Sequence, residues 1–126
     1  MNTQTYHGYK SLDCYKHARE LRMYISQLTR KFPKEEKYNL TSQILDASRS
    51  ITANIAEGYG RYTYKDTRNF FIQARGSDTE TMEHLQTAFD EKFITQDEFE
   101  QADRLSVKVF QLINGFISYL DRSKKK

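Results

Sequence analysis

One cysteine and one proline in 126 residues already exclude several architectures. Cys14 has no partner for an internal disulfide, so no disulfide framework holds this chain together. Pro33 and only five glycines supply too few turn signals for a many-stranded sandwich or barrel. No apolar run approaches the roughly 18 residues of a membrane span, and no apolar N-terminal run has signal-peptide length, so a cytoplasmic protein is expected. Hydrophobic residues are scarce as well, at 37% of the chain with a mean hydropathy of -0.84. Eight Phe and nine Tyr nevertheless argue against disorder, which depletes aromatics. The length suits one domain over residues 1–126, and thin helical layers with a polar exterior fit the composition. The net charge of +3 permits a nucleic-acid partner without demanding one.

What is present is helical periodicity. Ile44, Ala47, Ile51, Asn54 and Gly58 form one stripe of a helix running from Leu40 towards Arg61, lined by the small residues Ser48, Ser50, Ala53 and Ala56. This is read as a central helix, with close backbone approach on more than one side. Cys14, Ala18, Leu21, Ile25, Leu28 and Phe32 mark an earlier helix over about 12–31, stopped by Pro33. Asn39 is the expected N-cap of the central helix, and Gly58 or Gly60 its expected left-handed C-cap. Thr63 and Asp66 resemble a capping pair, after which Phe70, Phe71, Ala74, Thr81, Leu85 and Ala88 trace a third helix to about Asp90. Gly76, Ser77, Asp78 and Thr79 weaken its middle, where a bend or close contact is expected. Thr95 to Glu98 is a capping box opening a fourth helix. There Phe99, Ala102, Ser106, Val109, Ile113, Phe116 and Leu120 repeat every three or four residues, flanked by Leu105, Leu112 and Tyr119. Phe110 and Ile117 add a further apolar row, which predicts a subunit interface. Short connections make neighbours antiparallel, so the expectation is all-α: an antiparallel up-down-up-down four-helix bundle with a core over about 12–122. Residues 1–10 and 123–126 are expected to be loose termini.

Asn54-Ile-Ala-Glu-Gly-Tyr-Gly-Arg61, preceded by Leu40-Thr-Ser-Gln43 and Ser50-Ile51, resembles the signature of a bacterial four-helix-bundle family. That family was first named for proteins encoded by intervening sequences inside 23S ribosomal RNA genes. The likeness continues through Lys65, Phe70, Phe71, Ala74, Gly76, Ser77 and Glu80, and through Leu112, Asn114 and Gly115, covering about residues 12–120. Asp78 and Thr81 depart from it, since both positions are usually apolar in the family. The resemblance implies a homo-oligomeric ring, commonly a pentamer, and no catalytic residues to transfer. Related bundles are accessory factors of diversity-generating retroelements that bind a reverse transcriptase and nucleic acid, which makes such an enzyme a candidate partner protein.

Candidate chemistry centres on the turn after the central helix. Tyr59, Tyr62 and Tyr64 interleave with Arg61 and Lys65, a pattern suited to stacking on bases of RNA or single-stranded DNA while cations hold phosphates. The competing reading is that these tyrosines close the end of the core. Lys65, Arg68 and Arg75 follow one stripe of the third helix, expected to face outward, with Glu83 and Asp90 reversing its sign further along. Repeated around a ring, this makes a positive rim; an ordinary solvated face is the alternative. Asn54 on the apolar stripe is expected to fix helix register or bridge subunits. Catalysis is not expected: His7, His17 and His84 are scattered, Cys14 and His17 alone do not make a metal site, and Ser48 and Ser50 have no nearby His. No cofactor or metal is implied. A nucleic-acid-binding bundle, a protein-binding adaptor without nucleic-acid affinity, and a nuclease are therefore the three readings, in that order.

Overall fold

The structure is a computed structural model describing residues 8–124. Four helices carry it: α1 (Asp13–Thr29), α2 (Leu40–Tyr59), α3 (Tyr64–Asp90) and α4 (Gln96–Lys124), with short 3-10 turns at Gly8–Ser11 and Lys34–Glu36. Residues 1–7, 125 and 126 of the expected loose termini lie outside the described residues. Within them, Gly8–Ser11 is ordered into a turn and α4 continues through Lys124, so the regular structure reaches further than periodicity suggests at both ends.

Each helix packs against two others, α1 and α3 both lying beside α2 and α4, with no diagonal contact among the described residues. Lys31 at the end of α1 grips Glu98 at the start of α4 at 2.7 Å, whereas Arg68 near the start of α3 grips Asp121 near the end of α4 at 2.8 Å. Gly58, late in α2, lies against Phe70 and Phe71, early in α3. Early residues thus meet late ones across neighbouring helices, the mark of antiparallel packing.

All six apolar residues expected on α1 are buried, as are Ile44, Ala47 and Ile51 on α2. The N-termini obey local chemistry. Asp66 N–H donates to Thr63 Oγ1 at 3.1 Å; Glu98 N–H donates to Thr95 Oγ1 at 3.1 Å while Thr95 N–H donates to Glu98 Oε1 at 2.9 Å, completing the box. The Lys31 ammonium and the Thr95 N–H together hold the Glu98 carboxyl below its ordinary range.

Three local expectations are corrected. Asn39 occupies the N-cap of α2, but its side chain makes no capping bond; Glu36 Oε1 accepts from Leu40 N–H at 3.2 Å instead. Neither Gly58 nor Gly60 is left-handed, Gly60 having φ -82. Gly58 is small for a different reason: a Cβ there would lie 2.8 Å from Phe70 Cβ, so it sets the closeness of α2 and α3. Finally, Gly76 has open space around it and α3 runs unbroken through it, the close contact expected in this stretch being made instead by Ser77 with Ser50 and by Asp78 with Ser106.

Candidate nucleic-acid interface

Antiparallel packing gathers the end of α2, the start of α3, the start of α1 and the end of α4 at one end of the bundle. That end and the adjoining halves of the helices carry Lys10, Lys16, Arg19, Arg61, Lys65, Arg68, Arg75, Arg122 and Lys124 against Asp13, Glu20, Glu57, Asp66 and Asp121. At the far end and its adjoining halves the balance reverses, but narrowly: Glu35, Glu36, Asp46, Asp78, Glu80, Glu83, Asp90, Glu91, Asp97, Glu98, Glu100 and Asp103 stand against Arg22, Arg30, Lys31, Lys34, Lys37, Arg49, Lys92, Arg104 and Lys108. The polarity expected for α3 alone is therefore a property of the molecule, because α4 runs the other way with acids in its first turn and bases in its last. In α4 this charge order also suits the helix dipole. In α3 Lys65 and Arg68 sit near the positive end of the dipole, where cations are disfavoured, so helix stability does not explain them.

The sequence-derived cations separate into tethered and free. Arg61 pairs with Glu57 at 2.9 Å, four residues back on the same chain, and its guanidinium lies 4.8 Å from the Phe70 ring centre. Arg68 makes a two-pronged contact with Asp121, whose Oδ1 also accepts from the Tyr64 hydroxyl at 2.6 Å. This carboxylate raises the pKa of both partners, Arg68 by pairing with it and Tyr64 by hydrogen-bonding to it. Arg75 donates to Asn114 Oδ1 at 2.8 Å. The outward-facing stripe is thus corrected: Arg68 and Arg75 lean onto α4. A face drawn through the apolar residues of α3 omits Asp78, which is 1% exposed and lies three residues after Arg75 on the same flank. Lys65 is exposed and makes no ion pair among the described residues.

The tyrosines divide likewise. Tyr62 is fully exposed in the α2–α3 turn, free to present both ring faces. Tyr59 packs over Gly8, and Tyr64 is held by Asp121 with the Lys124 ammonium 4.9 Å from its ring centre. Of the three, Tyr62 alone has the geometry of a stacking platform, and the other two close the end of the bundle.

Apolar periodicity does not point to a second set of cations, on α1. Lys10, Tyr15, Lys16 and Arg19 line a cleft of about 470 Å³. It adjoins a cleft of about 500 Å³ between α1 and α4, where Lys16, Arg19 and Arg30 stand with the single acid Glu20 beside Met23 and Tyr24. None of these cations is in an ion pair among the described residues. Their signal in the sequence is the polar complement of the Cys14–Ala18–Leu21 stripe, with Lys16 and Arg19 three residues apart.

The remaining candidates are structural. Asn54 is half-buried at the edge of the stripe and donates to Ser50 O and Ser50 Oγ at 2.9 and 3.0 Å, while Ser77 Oγ donates to Ser50 Oγ at 3.0 Å. The tie from α2 to α3 is thus made by Ser50, which Asn54 holds from one turn further along the same helix. Ile117, expected at a subunit interface, is instead 5% exposed and belongs to the chain's own core, while Phe110 is 39% exposed. Cys14 is buried, which pushes its thiol up to about 11, and His17 Nδ1 is engaged by Asp13 O at 2.9 Å. Neither is presented as a nucleophile or ligand.

A family model described as 23S rRNA-intervening sequence protein matches residues 10–115. The chain belongs to that family. Among solved structures, a protein of unknown function from the S23 ribosomal protein family of Bacteroides thetaiotaomicron superposes with a TM-score of 0.77 at 24% identity, covering 83% of this chain and 95% of that one. At that identity the likeness establishes the four-helix fold. No curated protein matches the chain. No helix among the described residues is long and apolar enough to cross a membrane.

Proposed function

We propose that this family member is a non-catalytic, self-associating bundle that binds RNA or single-stranded DNA through its basic end. The observation carrying this reading is the charge polarity of the packed bundle, together with the unpaired cations Lys10, Lys16, Arg19 and Lys65 in the half of the bundle that also carries the exposed ring of Tyr62. Such an end attracts phosphates at long range and offers one aromatic face to a splayed base. Self-association, with five copies the leading number from the family resemblance, would repeat the basic end into a rim. A protein-binding adaptor is the second reading, favoured by the internal pairing of Arg61, Arg68 and Arg75. A nucleic-acid-processing enzyme such as a reverse transcriptase fits either reading as the partner.

The test is fluorescence anisotropy of labelled single-stranded RNA and DNA against salt concentration. Lys16→Glu combined with Arg19→Glu should weaken binding at least tenfold and flatten the log-log salt slope by about 0.7 for each phosphate no longer neutralised. Lys34→Glu with Lys37→Glu, at the opposite end, is the control and should weaken binding far less. Equal losses in the two variants, or no binding by the wild type at low salt, would transfer the case to the adaptor reading.

A further inference from the structure

Midway along the α3–α4 seam lies a groove of about 160 Å³, away from the basic end, lined by Asp78, Thr79, Met82, Ser106, Val107 and Phe110. Its walls are apolar and accessible, Val107 being 46% and Phe110 39% exposed. Asp78 beneath them is 1% exposed. Ser106 Oγ donates to Asp78 Oδ1 at 2.7 Å, and Oδ2 has no hydrogen-bond partner among the described residues. No sealed side-chain oxygen or nitrogen there lacks a partner, so Oδ2 is not closed off by protein and opens on the groove it lines.

A buried carboxylate needs a cation or several donors, and this one has a single hydroxyl. The nearest basic residue along the same flank of α3, Arg75, is committed to Asn114 on α4. Burial dominates the ionisation of Asp78 and pushes it up to about 7, with only the Ser106 bond acting the other way. What the groove lacks is a positive charge on an apolar body. Its size limits that body, since a cavity of about 150 Å³ holds one benzene ring.

We propose that the α3–α4 groove is a binding site for a small organic ammonium ion, its apolar part between Met82, Val107 and Phe110 and its N–H donating to Asp78 Oδ2. The ligand class is a primary amine on a single ring or a comparably short aliphatic chain. Nothing in the site favours an anion, and a neutral ring would fill the walls but leave the carboxylate unanswered.

Benzylammonium is the probe, with benzyl alcohol as the neutral ligand of the same shape, each titrated calorimetrically into the full chain at pH 8. The wild type should prefer benzylammonium by about tenfold or more, the scale of a charge-assisted hydrogen bond. Asp78→Asn retains an acceptor for Ser106 and should bind the two compounds equally. Val107→Trp fills the groove from an exposed position, so it should abolish both titrations while leaving helicity unchanged. No preference in the wild type, a preference that survives Asp78→Asn, or binding that survives Val107→Trp would each overturn the site. A groove covered by a second copy would overturn it too, showing as no benzylammonium binding together with a changed assembly size in Val107→Trp.

Discussion

Among single residues, two buried positions depart from what their type leads one to expect. Asp78 occupies a core position of α3 with one hydroxyl as partner. Its ordinary value is 3.8 and burial raises it to about 7, so between those values the folded chain holds a proton that the unfolded chain has released. Stability should therefore fall as pH rises through that window, by at most about 1.4 kcal/mol per pH unit, and level off above it. Urea denaturation at pH 5 and pH 8 checks this: the stability of Asp78→Asn relative to the wild type should be greater at pH 8 than at pH 5, because pH 5 lies early in the window and pH 8 beyond it. An identical difference at both values would mean that Asp78 does not titrate there. Gly58 is the second position. Because an added Cβ meets Phe70 Cβ at 2.8 Å and Phe71 Cδ1 at 3.0 Å, Gly58→Ala should cost about 1 to 3 kcal/mol despite the helix-propensity gain of alanine. A Tm equal to or above the wild type's would show that α2 and α3 can separate at no cost.

Of the helices, α4 starts where local chemistry dictates and α3 faces where its neighbours dictate. Thr95 and Glu98 exchange backbone bonds, and Glu98 additionally holds Lys31 of α1. Thr95→Ala should cost about 1 kcal/mol through the cap alone. Glu98→Ala should cost more, because it removes the reciprocal cap bond and the cross-helix tie together. Thermal denaturation of the two variants ranks them, and the reverse order would mean that the Lys31 contact adds nothing. In α3 the apolar pattern points roughly the right way, yet it leaves out Asp78, which sits in the interior bonded to Ser106 of α4. Arg68 and Arg75 reach α4 from the flank of α3 that Asp78 shares, through Asp121 and Asn114.

Across the bundle as a whole, the antiparallel arrangement converts modest charge gradients along α3 and α4 into a basic end and an acidic end. The fully exposed Tyr62 stands at the basic end. If it stacks on a base, Tyr62→Ala should cost about 1 to 3 kcal/mol of nucleic-acid affinity with the salt slope unchanged, because the ring neutralises no phosphate. Anisotropy at two salt concentrations measures both quantities. An unchanged affinity would leave Tyr62 as an exposed turn residue and place binding on the cations alone.

Legible in the amino-acid order are the four helices, their breaks near Pro33, Gly60 and Lys92, the N-terminal caps at Thr63 and Thr95, and nearly all of the core of α1. These follow from interactions over three or four residues, which periodicity and capping chemistry report directly. Which cations are free is a matter of packing, because Asp121 and Asn114 lie far along the chain from Arg68 and Arg75 and meet them only when α3 and α4 dock. The same holds for Ile117, which an α4 helix drawn alone leaves on the surface and which the bundle covers. The groove above Asp78 is likewise absent from any local pattern, since a carboxylate's burial depends on what its neighbouring helix brings over it, here Ser106, Val107 and Phe110.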